Sequence, residues 1–160
     1  MRLWVALLLA PAALLAQQVE RGEALFFGEA GCGSCHALKG KGTAVGPNLT
    51  MIGKLAPQAV AMAVRSTATQ YVQAVKLKSG ESFNGMPGPK DDTSVSYFDM
   101  GKTPPELRKF AKDDVASATN TDAWKHPPAK IEAAKLADIV AYIRYAATGQ
   151  KKTVTEDEVR

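Results

Sequence analysis

"GCGSCHALKG", residues 31–40, contains both cysteines of the 160-residue chain and one of its two histidines. Cys32 and Cys35 are separated by Gly33 and Ser34, and His36 follows directly. Three chemistries use thiols at this spacing. A thiol–disulfide redox pair is one, but it works from a thioredoxin-like βαβ context, and the surrounding pattern here is helical. A zinc site is another, but it takes four ligands and this stretch offers three. The third is covalent attachment of a c-type haem. Two thioethers then reach the vinyl groups on one edge of the porphyrin, and the adjacent imidazole lies beneath the iron. Cys-x-x-Cys-His fits this third chemistry. His36 is therefore the expected proximal iron ligand, and one motif predicts one haem c.

Upstream, "MRLWVALLLAPAALLAQQ" (1–18) has a positive Arg2, an apolar run from Leu3 to Ala16 and small residues before Gln17. This reads as a secretory signal peptide over residues 1–16. The apolar run is too short for a stable span, so the mature chain is expected to have none. Export predicts a periplasmic or secreted protein. Residues 17–149 are about the length of one domain with a sizeable core. Removing Arg2 lowers the formal net charge of +4 by one. A mild positive balance suits acidic protein surfaces and, without a basic run interleaved with aromatics, excludes nucleic acid as the expected partner.

Helical periods flank the motif. In "VERGEALFFGEAG" (19–31), Val19, Gly22 and Phe26 share one face. In "KIEAAKLADIVAYIRYAA" (130–147), Leu136, Ile139, Val140, Ile143 and Ala147 trace one stripe, and Gly149 supplies a stop. Gly22, having no side chain, lets the two helices cross closely.

With these features in place the chain resembles the class I cytochromes c. Gly22 and Phe26 look like the glycine and aromatic of that family's first helix, and "CGSCH" like its attachment site. "GPNL" (46–49) is similar to the segment whose proline carbonyl receives a hydrogen bond from the proximal imidazole. "LADIVAYIR" (136–144) is similar to the closing helix, with Tyr142 as its aromatic. The resemblance implies a mostly α cytochrome c fold, with crossing N- and C-terminal helices around a covalent haem. It also implies that Pro47 fixes the tautomer of His36 through its carbonyl. A methionine usually supplies the sixth ligand shortly before the closing helix. In that place stands His126, followed by Pro127-Pro128, with Tyr142 sixteen residues on as in the short bacterial members. The two prolines stiffen the approach and delay the helix. The rival ligand is Met86 in "FNGMPGPK". Met100, Met51 and Met62 are lesser candidates, and Met62 reads as helix core.

Between these regions the pattern departs from the family. "LAPQAVAMAVRSTAT" (55–69) reads as a helix with Val60 and Val64 on one face. From residue 71 to about 118 the period changes to alternation around turns, which predicts a small antiparallel β insert of two or three strands. Pro104-Pro105 opens an expected short helix, and "KDDV" an expected further strand. Tyr71, Tyr97, Trp124 and Arg65 are candidate partners for haem propionates. The tail, residues 150–160, is charged and without apolar period, and is expected to be flexible.

The expected function is that of an exported monohaem electron carrier, not an enzyme. The resemblance implies a periplasmic dehydrogenase as donor and an oxidase or another cytochrome as acceptor. Lys39 and Lys41 after the attachment site suggest a positive rim. Two other readings are a haem-based peroxidase or gas sensor with a labile sixth ligand, and the haem subunit of a dehydrogenase complex.

Overall fold

The structure is a computed structural model and describes residues 10–66, 68–69, 71–126 and 130–160. Residues 1–9 of the expected export signal lie outside these, as does the Pro127-Pro128 pair. The chain divides into two compact units.

The helical unit takes in the chain up to Cys32, Leu49–Val64 and Lys130–Arg160. Helix α1 (Ala10–Phe27) packs on α3 (Ala133–Thr148). The apolar stripe of α3 faces inward, with Leu136, Ile139, Val140 and Ile143 buried, and α1 contributes Val19 and Phe26. Each large side chain buried this way contributes roughly 1.5–3 kcal/mol. The close approach rests on Gly22, since a Cβ there would lie 2.0 Å from the Asp138 carbonyl oxygen. The bidentate Arg21–Asp138 pair, at 2.8 and 3.0 Å, flanks the crossing. Gly149 ends α3 in the left-handed region, φ 73°, donating its N–H to Tyr145. A one-turn 3₁₀ helix, Ile52–Lys54, lies against α3 through Gly53, and α2 (Pro57–Arg65) follows it. Among the described residues no helix is long and apolar enough to cross a membrane.

The second unit, Gly33–Asn48 with Arg65–Ala129, is built on an antiparallel five-stranded sheet in the order β4-β3-β2-β1-β5. Its strands are β1 (Gln73–Leu77), β2 (Ser82–Lys90), β3 (Ser94–Asp99), β4 (Glu106–Ala111) and β5 (Val115–Asn120). Strands β4 and β5 are consecutive in the chain yet occupy opposite edges. Only Lys112–Asp114 connect them. Such a link spans at most about 14 Å when extended, whereas the edges of five flat strands stand about 19 Å apart. The sheet therefore curls. Val75, Leu77 and Tyr97 are buried on one face, packed by Phe83, Val95 and Phe110. Arg108 lies over the Phe83 and Phe110 rings and pairs with Glu81 at 2.7 Å. The other face carries Met86 opposite Phe98. Pro87 is tolerated in β2 because the pairing with β1 stops at Gly85 and the register with β3 shifts beyond Pro87.

These findings correct the mostly α expectation. Among the described residues the chain has three α-helices and a five-stranded sheet, not a small insert of two or three strands. The segment after Pro104-Pro105 is β4, not a helix. "ELRKFA" has helix-favouring residues, but pairing of Leu107 with Phe98 and Phe110 with Val95 decides its state. The tail, residues 150–160, is packed in the structure. Val154 and Val159 are buried, and the buried Gln18 amide donates to Val154 O at 2.7 Å and accepts from its N–H at 3.0 Å. Met62 is 67% exposed rather than core, because α2 turns Val60 and Ala61 inward.

Candidate functional site

Cys32 opens a one-turn 3₁₀ helix, Cys32–Ser34, which spaces it from Cys35. Neither cysteine takes part in a disulfide. After His36 the chain reverses at Leu38–Lys41, where Lys39 and Gly40 both have positive φ and the flanking residues exchange backbone hydrogen bonds. The returning strand is tied to Cys35, whose carbonyl accepts the N–H of Val45 at 3.1 Å and of Gly46 at 2.7 Å. Pro47 is thereby delivered to His36, and its carbonyl lies 2.8 Å from Nδ1.

That contact assigns the tautomer. A carbonyl oxygen only accepts, so Nδ1 carries the proton and Nε2 keeps its lone pair for a metal. Burial pushes His36 below its ordinary imidazole range, the Pro47 bond opposes this, and nearby His126 adds to it. A neutral ring is the form that ligates. Gly46 makes the cradle: a Cβ there would lie 2.6 Å from His36 Cε1.

His126 stands ninety residues along the chain, yet its ring centre lies 6.2 Å from that of His36, the planes at 39°. Two imidazoles bound to one metal from opposite sides at about 2 Å each place their centres roughly 6 Å apart. The separation therefore suits two imidazoles that would share one metal. His126 hangs from the end of β5. Thr121 N–H donates to Val72 O at 3.0 Å, and the Trp124 ring meets His126 edge-on at 6.2 Å.

Met86 is also brought here. It is buried with Val45 and Val72, and Cys35, Phe98, Met100 and Trp124 pack against that cluster. A cleft of about 430 Å³ opens beside it, lined by Val45, Gly46, Pro47, Tyr71, Gln73, Met86, Pro87 and Asn120. Such a volume suits a ligand-sized group. Tyr71 thus reaches the cleft, and Trp124 packs beside His126. Tyr97 does not belong with them, since it is buried on the opposite face of the sheet. Val45 and Val72 carry no signal in the sequence, and Gly46 enters there only as part of "GPNL", with no role of its own. Nothing local in the sequence says which ring the glycine must clear.

The donor set fits a haem c: two thiols at attachment spacing, an imidazole with Nε2 available, and a second imidazole 6.2 Å away that could share the iron. None of the curated proteins compared with the chain matches it. The family model described as Cytochrome c matches residues 19–147, a span that holds Cys32, Cys35, His36, Pro47, Met86 and His126. With its attachment motif and its oriented histidine, the protein belongs to the cytochrome c family, whose members bind haem iron and transfer electrons.

Proposed function

We propose that this protein is an exported monohaem cytochrome c that carries single electrons in a periplasmic chain. Its one haem is joined to Cys32 and Cys35 and ligated by His36 and His126. The observation that carries the reading is the 6.2 Å separation of the only two histidine rings in the chain. A bound haem supplies an iron that alternates between ferric and ferrous states. The chain's own residues do the rest. Pro47 O holds the His36 proton on Nδ1 and so aims Nε2, while Gly46 leaves room for the ring. Val45, Val72 and Met86 keep water from the buried side. Met86 serves as packing rather than as ligand, because it sits inside that cluster while the His126 ring lies 6.2 Å from that of His36.

A second fixed imidazole favours electron transfer over catalysis, since ligation on both sides changes little when the charge changes. Lys39 and Lys41 are exposed on the turn after the attachment site and suit acidic partners. A periplasmic dehydrogenase as donor and an oxidase or another cytochrome as acceptor match this chemistry. The apolar leader, residues 1–16, is the support for export. The test is the visible and near-infrared spectrum of the oxidised protein with two variants. His126→Ala should yield high-spin iron, and Met86→Ala should leave a low-spin spectrum without a sulfur–iron band. A sulfur band in the wild type, abolished by Met86→Ala, would transfer the ligand to β2.

A further inference from the structure

We infer that Trp124 is a positioning residue that orients His126 toward the metal it would share with His36, so that the sheet influences how readily that ligand would detach. The inference rests on the bis-histidine reading above. Its own grounds are three. The stretch 121–126 leaves β5 directly, beginning where Asn120 pairs with Gln73 across the sheet and Thr121 N–H donates to Val72 O. The Thr121 hydroxyl then accepts the Ala123 N–H at 3.1 Å, which turns the chain toward Trp124. The indole packs on the buried Val45–Val72–Met86 cluster and presents its ring at 90° to His126.

An edge-to-face aromatic contact fixes the tilt of both rings, which a rounded aliphatic surface does not. Val75 supplies the comparison. It is as deeply buried but sits on the opposite face of the sheet, with Leu77 and Tyr97. Loss of packing alone and loss of the clamp are thus separable.

The experiment uses the oxidised holoprotein and imidazole as probe, read by spin state and by the concentration of imidazole that half-saturates the iron. Trp124→Leu, which keeps apolar volume in the cluster, should raise the high-spin fraction and bind added imidazole at least tenfold more tightly than wild type. Trp124→Phe should restore wild-type behaviour to within about twofold. Val75→Ala should lower the unfolding midpoint while leaving imidazole binding unchanged. Trp124→Leu with wild-type imidazole binding, or Val75→Ala opening the iron equally, overturns the inference. His126→Ala separates the two failures. If it leaves the wild-type low-spin spectrum intact, the bis-histidine reading falls and this inference with it. If it opens the iron and Trp124→Leu does not, only the role of Trp124 falls.

Discussion

Gly22→Ala puts the helix crossing to a direct test. The added Cβ would sit 2.0 Å from Asp138 O, 2.6 Å from its carbonyl carbon and 2.9 Å from Tyr142 Cβ, where ordinary contact begins near 3.4 Å. None of these atoms can rotate away, so α1 and α3 must part by more than about 1 Å in a close-packed interior. Overpacking of this kind costs about 1–3 kcal/mol, and contact with rigid backbone places it at the upper end. Parting also stretches the Arg21–Asp138 pair, which stems from the same residue. Against this, alanine is preferred to glycine within a helix by about 1 kcal/mol. The net expectation is a loss of about 2 kcal/mol, or roughly 1 M in urea midpoint for a typical slope of this chain size. Urea titration of the holoprotein, followed by far-ultraviolet circular dichroism, measures it. Glu20→Ala, on the exposed side of α1, should move the midpoint little. A Gly22→Ala midpoint equal to or above that of wild type would refute the crossing as described.

Three further outcomes follow from individual contacts. Gly46→Ala places a Cβ 2.6 Å from the His36 ring, so the variant should show weakened ligation as a raised high-spin fraction, while far-ultraviolet dichroism stays near wild type. Among the described residues, Tyr142 carries a buried hydroxyl without a hydrogen-bond partner, pushed up to about 12 by burial. Tyr142→Phe should therefore add about 1 kcal/mol at neutral pH, by removing an unsatisfied group. Because the folded value is raised, the wild type keeps this group's contribution below pH 10 and loses it as the pH climbs toward 12; the variant should lack that alkaline decline in melting temperature. Asp91 is held well below its usual carboxylate range, first by the Ser94 hydroxyl, then by the Thr93 and Ser94 N–H groups and by Lys109. A depressed value contributes stability above the ordinary carboxylate pKa and loses it as the pH falls. Asp91→Asn should thus flatten the acid limb of thermal stability below about pH 4, and an unchanged limb would remove this turn from the account.

What the sequence determined by itself was local. Cys32, Cys35 and His36 declare their chemistry because thioether attachment requires that order within five residues. The stripe on α3 and the stop at Gly149 are legible because helix period and left-handed caps are properties of neighbouring residues. The Pro47 contact was legible too, through family likeness, eleven residues from His36. Tertiary structure decided the rest. "ELRKFA" becomes a strand only because β3 lies ready to pair with it. The tail docks through Val154 and Val159, two apolar residues in a charged stretch whose burial depends on Gln18, 136 positions away from the first of them. Tyr97 turns inward and Met86 to the other face because their partners in β3 and β2 set the register. The meeting of His36 and His126 depends on the curl of the sheet and on the anchoring of Thr121 to Val72. Such outcomes are differences between competing long-range pairings of similar local propensity, and no stretch of sequence carries them before its partner is in place.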